Sequence, residues 1–460
     1  MVEQSNDIKG KKTAVLFSVQ TQGVSDEEND SSLIELRRLV KTMGLEVVAT
    51  LSQRRPKPDK GTLLGAGKLK ELAGYTGGTG IVEGFSRKSE DNTCDDTDDD
   101  YPVDDFDESD EEGSGDEPDV KADFVIYDGE ISTKQLQNLE QATGVEVLDR
   151  TGVILEIFSR HAKSREALIQ VEIAKLAYMA PRLRASRIGG DRQGGSLGAK
   201  GAGETAHELD KRRIRDRISE LKAKLVDIHD EQNRRRSRRK ENFQVALVGY
   251  TNAGKSSLMR KLTHSDVLVE DKLFATLDTR IKAMQPEVFP PILVSDTVGF
   301  IKKLPHDLVA SFQSTLDEAL AASLLLFTVD VSDPAFRSQL AVTKKVLKEI
   351  GGETIPSRLI LNKIDKLSPD ELEKLKPEFP EGIFISAHNP EDVETLRIKI
   401  LHVFESNMIE TTLTIPYDKG HLLGQLRTKA GIIHESYDEK GTEVTFKTFP
   451  ETVIWLQKIL

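Results

Sequence analysis

Gly249, Tyr250, Thr251, Asn252, Ala253, Gly254, Lys255 and Ser256, followed by Ser257, spell Gly-x4-Gly-Lys-Ser behind an apolar run at Phe243–Val248. The order strand, glycine-rich turn, helix start lets backbone N–H groups converge on a phosphate without Cβ clashes, and the helix dipole adds to their pull. Lys255 is then placed to reach β- and γ-phosphates, and the Ser256 hydroxyl to ligate Mg2+. Asp296, Thr297, Val298 and Gly299 close a second apolar run at Ile292–Val294. A carboxylate there can hold the same ion through water, and the Gly299 N–H can sense a γ-phosphate.

Asn362, Lys363, Ile364 and Asp365 end a further strand. They resemble the guanine-reading motif of translation-factor-type GTPases, in which the aspartate accepts from N1–H and the exocyclic amine. Adenine offers neither donor, so the carboxylate would be left unpaired at a cost of about 1–3 kcal/mol. Ser386 and Ala387 follow Ile383–Ile385 and look like the last guanine motif, a backbone donor to O6. Between the first two motifs lie Leu273, Phe274, Ala275, Thr276, Leu277 and Asp278. Thr276 is the natural switch I residue, able to ligate Mg2+ only when a γ-phosphate is present. Lys255, Thr276 and Gly299 are thus the candidate catalytic residues, and Ser256 and Thr276 the metal ligands. Phe300 follows Gly299 and cannot orient an attacking water as a glutamine does, so hydrolysis should be slow unless a partner or a cation helps. Asn252 occupies the place where potassium-stimulated GTPases carry an asparagine that helps bind K+; the alternative is a capping role within the loop.

These motifs need a scaffold that brings strand ends together. Apolar runs at Phe243–Val248, Ile292–Val294, Leu324–Val329, Leu359–Leu361 and Ile383–Ile385 alternate with helical stretches. That pattern predicts an α/β fold with a doubly wound, mostly parallel sheet, whose ligand crevice lies at the carboxyl ends of the strands. The chain divides into an N-terminal α/β domain at 1–158, a helical hairpin at 159–240, a G domain at 241–408 and a small α+β domain at 409–460. In the first, runs at Ala14–Phe17 and Phe124–Tyr127 alternate with helical stretches at Leu33–Lys41 and Lys134–Gln141. The hairpin pairs a helix at Ser164–Leu183, with Leu168, Val171, Ile173 and Leu176 apolar, against a seam of Ile214, Ile218, Leu221, Leu225 and Ile228. The glycine-rich tip from Gly189 to Thr205, with Arg184, Arg187, Arg192 and Lys200, suits a probe for a crevice in an anionic partner, or a plain linker. The last domain reads β-α-β-β-α, with a hairpin turn at Asp438-Glu-Lys-Gly441.

Charge is unevenly spread. The net −13 hides Glu90–Asp119, which holds seventeen acidic and no basic residues; without it the rest carries +4. That stretch, part of an insertion at about 88–121, is expected to be a disordered spacer or a regulatory tail. Lys211–Lys240 carries thirteen basic against five acidic residues, a solvated helix face or a surface for a phosphate-rich partner. One cysteine, Cys94, excludes internal disulfides and cysteine-rich metal sites, and the nine histidines show no HxxxH spacing. No apolar run reaches membrane-spanning length and the first residues lack a secretory pattern, so a cytoplasmic location without integral membrane association is expected.

Several segments together resemble one family, HflX. They are Leu63-Leu-Gly-Ala-Gly-Lys68, Leu148-Asp-Arg-Thr-Gly152, Gly201-Ala-Gly-Glu-Thr205 before Asp210–Arg217, and Leu273–Asp278 beside Asp296–Phe300. The resemblance implies a monomeric ribosome-associated GTPase that binds the 50S subunit and its rRNA, and that can split stalled or idle 70S ribosomes under stress. An RNA-binding GTPase acting on tRNA or particle assembly is the alternative. The chain departs from the family at Ala202, where proline is usual. Gly65-Ala-Gly-Lys68 has two readings, a second nucleotide site or a tight structural turn; it lacks the Gly-x4-Gly-Lys-Ser/Thr spacing, and Leu69 stands in place of the metal-binding hydroxyl.

Overall fold

The computed structural model describes residues 12–82, 121–182, 206–239, 242–265, 273–274, 280–286, 288–303, 313–406 and 408–460. The acidic insertion, the glycine-rich tip and Ala275–Asp278 lie outside them. The chain forms two compact units, Met1–Val153 with Pro181–Ala199, and Ile154–Ala180 with Lys200–Leu460.

The first unit alternates β1 (Thr13–Gln20), α1 (Asp26–Thr42), β2 (Glu46–Arg54), α2 (Ala66–Thr76), β3 (Phe124–Tyr127), α3 (Thr133–Thr143) and β4 (Glu146–Asp149). Its sheet runs β2-β1-β3-β4, all parallel. Such a sheet is covered on both faces, which is why Ala14–Phe17 form one uninterrupted apolar, fully buried run. Ser25 caps α1 by accepting from the Glu28 N–H, and Ser132 and Gln135 close a capping box on α3. Gly65 stands at the start of α2, its N–H bonded to Gln53 Oε1 at 2.9 Å, and Leu69 packs into the core.

α4 (Arg150–His161) starts where β4 ends. Arg150 is only 2% exposed. Its guanidinium binds Asp128 Oδ1 at 2.6 Å and also Glu35, while Ser32 Oγ donates to Asp128 Oδ2 at 2.5 Å. Exchanging Arg150 for Met would strand two buried carboxylates. A loss of about 3–5 kcal/mol is expected, seen in calorimetry as an earlier first unfolding transition; an unshifted trace would refute that account of the cluster.

The second unit begins in the later turns of α4 and continues with α5 (Arg165–Met179), which packs on α6 (Ala206–Arg239). Ile169, Ile173 and Leu221 are buried between them, with Leu176, Ile218, Leu225 and Ile228 around. The seam on α6 from Ile218 to Ile228 is therefore covered by α5. The first helix is shorter than its apolar pattern suggests, and Leu168 is half exposed; Ile169 takes the inward position instead.

Next come β5 (Phe243–Gly249), α7 (Lys255–Thr263), β6 (Arg280–Ala283), β7 (Ile292–Asp296), α8 (Gln313–Leu320), β8 (Leu324–Asp330), α9 (Phe336–Glu349), β9 (Ser357–Asn362), α10 (Pro369–Glu378), β10 (Ile383–Phe384) and α11 (Pro390–Glu405). The sheet order is β10-β9-β8-β5-β7-β6, parallel except for β6. β6 is an addition to the sequence reading, since Arg280-Ile-Lys-Ala283 is polar enough to pass for loop. It lies at the sheet edge, where only one side pairs. The chain ends with β11 (Ile409–Ile415), α12 (His421–Lys429), β12 (Gly431–Asp438), β13 (Gly441–Thr448) and α13 (Pro450–Ile459), an antiparallel sheet ordered β11-β13-β12. Phe449 stacks on Phe243 at 3.7 Å between centroids, joining this end of the chain to the foot of β5.

Candidate functional site

β5 delivers the phosphate loop into a space that only glycine fits. A Cβ on Gly249 would lie 2.1 Å from the Thr328 carbonyl oxygen of β8, and one on Gly254 would lie 2.2 Å from Asn362 Nδ2. Gly254 also takes φ +93°, and Asn252 sits in the left-handed region that asparagine tolerates.

The same close approach joins the loop to the guanine motif. Asn362 at the end of β9 is fully buried; its amide donates to Ala253 O at 2.8 Å, and its Oδ1 accepts from the Ala387 N–H at 3.1 Å. Lys363, also left-handed, donates to Asn252 O at 2.8 Å and to Asp330 Oδ2 at 2.6 Å. The Ile364 N–H bonds to Ile385 O. Three loops from distant parts of the chain are thereby fastened together. Asp365 is oriented by Ser386 Oγ, which donates to its Oδ1 at 2.6 Å. The Ser386 N–H is engaged by Asp392 Oδ2 at 2.7 Å, as the Ala387 N–H is by Asn362 Oδ1. Asp330, Asp392 and the Ser386 hydroxyl were not singled out from sequence. A carboxylate closing β8 beside β9 was the one signal available.

Lys255 begins α7 and is 6% exposed. Its Nζ donates to Gly249 O at 3.1 Å and Tyr250 O at 2.8 Å. Burial lowers the ammonium to about 8 from the ordinary lysine value, with the Asp296 charge opposing that fall. Ser256 Oγ donates to Asp296 Oδ2 at 2.6 Å, and Asp296 is fully buried. A hydroxyl and a carboxylate beside a phosphate loop are hard oxygen donors, and they suit Mg2+, which takes few protein ligands and completes its shell with phosphate and water. Ser257, the next residue of α7, is half-buried.

Switch II follows β7. Thr297 turns its hydroxyl onto Leu247 O at 2.8 Å, so that side chain braces the sheet, and Val298 is buried. A Cβ on Gly299 would meet Thr251 Cα at 2.8 Å and Lys255 Nζ at 3.0 Å, so the glycine lies directly against the loop and the ammonium. Phe300 is pinned on both sides, its N–H donating to Gly249 O at 3.1 Å and its carbonyl accepting from the Thr251 N–H at 2.9 Å. The Tyr250 hydroxyl accepts from the Lys302 N–H at 2.5 Å. This stitch of switch II to the loop is a role for Tyr250 that its position in a motif does not announce. Of the switch I segment, Leu273 and Phe274 are described and buried; Ala275, Thr276, Leu277 and Asp278 lie outside the described residues.

A phosphate loop, a carboxylate on its serine and a guanine motif clamped to both, at the carboxyl ends of a doubly wound sheet, define a P-loop GTPase. Residues 244–363 match the family described as 50S ribosome-binding GTPase, 161–239 the GTP-binding GTPase middle region, and 30–82 with 116–159 the GTP-binding GTPase N-terminal region. GTPase HflX of Gluconacetobacter diazotrophicus is 52% identical over 451 residues, 97% of each chain. GTPase HflX of Alkalihalophilus pseudofirmus is 37% identical over 416 residues, 90% of this chain and 88% of that protein. That of Escherichia coli is 31% identical over 422 residues, 91% and 89%. The chain belongs to the HflX family of GTPases.

Proposed function

We propose that this GTPase binds GTP with Mg2+, associates with the 50S ribosomal subunit through its RNA, and dissociates stalled or idle 70S ribosomes under stress in the cytoplasm, acting as a monomer. The observation that carries the nucleotide half is the Asn362 clamp, which holds phosphate loop and guanine motif in one frame. Within that frame Lys255 and the Gly299 N–H would meet the β- and γ-phosphates, and Ser256, with Asp296 beside it, would hold the ion; Thr276, outside the described residues, would be the further ligand that the sequence suggests. Asp365 reads the base. Mg2+ held there would neutralise charge on the phosphates. The four-part division at 158, 240 and 408 belongs to the same reading.

The ribosomal half is supported by the 50S ribosome-binding description of the matching family and by α6, along which Arg212, Arg213, Arg215, Lys222 and Arg234 are exposed. Their contacts would be to phosphate, so affinity falls steeply with salt. Among the described residues no helix is long and apolar enough to cross a membrane.

The test is GTP turnover with and without purified 50S subunits and 70S ribosomes, in potassium and in sodium, followed by sucrose-gradient profiles. Turnover raised by 50S, with 70S converted to subunits, is the expected result. Stimulation without loss of 70S would favour an RNA-binding GTPase that acts without splitting, and no stimulation would overturn the ribosomal reading. Faster turnover in potassium would assign Asn252 to a monovalent cation; equal rates leave it a loop-shaping residue.

A further inference from the structure

Asp330 closes β8 beside the guanine motif, yet none of the roles above falls to it. Its side chain and that of Lys363 are each 16% exposed, so their ion pair sits where water and salt screen it little. Asp330 Oδ2 takes the Lys363 ammonium at 2.6 Å. Its Oδ1 accepts from the Ser332 N–H at 3.1 Å and from the Ser332 hydroxyl at 2.6 Å. The carboxylate is thus held from the turn after β8 on one oxygen while it holds the lysine with the other.

The backbone arranges this meeting. Asp330 lies in register with Asn362 across β8 and β9, and the Val331 N–H donates to Asn362 O at 3.1 Å. Lys363 is the next residue, at φ +66°, a region that a long side chain enters only where its surroundings hold it. Its ammonium also reaches Asn252 O of the phosphate loop at 2.8 Å. Asp330 therefore supplies the counter-charge for a lysine that joins the guanine motif to that loop.

We propose that Asp330 is a positioning residue for guanine nucleotides: it fixes Lys363, so that this side chain need not be ordered when the ligand arrives. Freezing an otherwise free lysine side chain on binding weakens affinity by about ten- to thirtyfold. Asn252 O alone, a neutral acceptor, would hold an ammonium less firmly than a carboxylate does. This role rests on the nucleotide half of the proposed reading, in which Lys363 stands in one motif with the base-reading Asp365. Asp330 acts there only through the lysine.

Equilibrium titration of the full chain with fluorescent GDP, and with a fluorescent non-hydrolysable GTP analogue, tests this. Asp330→Asn keeps the shape and removes the charge. It should weaken both ligands about tenfold and by the same factor, because the base and the β-phosphate are common to them. Lys363→Met should weaken both at least as much, and Asp330→Asn added to it should cause no further loss. Ser332→Ala is gentler, since it releases Oδ1 and leaves the charge. It should weaken both ligands about threefold, and not at all beside Lys363→Met; should Asp330→Asn fail to fold, parental affinities in Ser332→Ala overturn the proposal. Losses that multiply in the double variant would show a general loosening of the turn, and a loss confined to the GTP analogue would move the effect to the γ-phosphate; either overturns it. Parental affinities in Asp330→Asn overturn it alone if Asp365→Asn still weakens binding. If Asp365→Asn also binds as the parent does, the reading of the base falls and this proposal with it.

Discussion

Asp365→Asn is expected to weaken GTP and GDP binding by a hundredfold or more. The carboxylate would accept two hydrogen bonds from guanine, each worth about 1.5–3 kcal/mol when one partner is charged. The amide replaces one acceptor oxygen with a donor that faces the exocyclic amine of the base. Xanthine carries a carbonyl at that position, so the variant should bind xanthosine triphosphate better than GTP, a reversal measurable by competition against a fluorescent nucleotide. Ser386 Oγ, which donates to Asp365 Oδ1, remains a satisfied hydroxyl beside the asparagine oxygen, so the exchange should leave the loop standing. A variant that still prefers guanine would remove Asp365 from base recognition.

Lys255→Ala is expected to lower GTP affinity and turnover together, by about 100- to 1,000-fold, the cost of removing one preorganised charge from a buried phosphate site. Loop carbonyls already hold its Nζ, so little ordering cost falls on the ammonium when phosphate arrives. Its protonation sets a pH dependence. Burial brings the group down to about 8, and bound phosphate favours the charged form, so binding takes up a proton above that value. Affinity should be flat below pH 8 and fall as pH rises past it, by at most tenfold per unit, until the higher value of the complex is reached. Titrating nucleotide affinity between pH 7 and 9.5 checks this; a flat profile would mean that the ammonium stays charged throughout.

What was legible in the sequence follows from how far apart the deciding residues lie. β5, β7, β8 and β9 declared themselves because strands buried on both faces must be apolar runs, and the phosphate loop because its glycines and lysine are contiguous. The antiparallel β6 did not, since an edge strand can afford Lys282 and Arg280. Leu168 misled, because an apolar residue next to a helix stripe reads as part of it until a neighbour is placed. Contacts across a hundred residues, such as Lys363 to Asn252, were invisible. Each partner is meaningful alone, and only the fold shows that they meet. The same holds for Tyr250 with Lys302 and for Phe274 with Phe158: an aromatic residue carries no mark of which distant surface it will fill.

On the proposed reading, the Asn362 amide, bonded on one side to the phosphate loop and on the other to Ala387, would make the pocket a single receptor for a ligand with two heads. Base and phosphates would then be held by a frame of fixed spacing, with the sugar as the tether between them. Once either end has docked, the other is presented at an effective concentration far above that of the free nucleotide. Guanosine or pyrophosphate alone forfeits that advantage. Loosening Asn362 would therefore cost more than the two hydrogen bonds it makes, because it would turn one chelating grip into two independent weak ones.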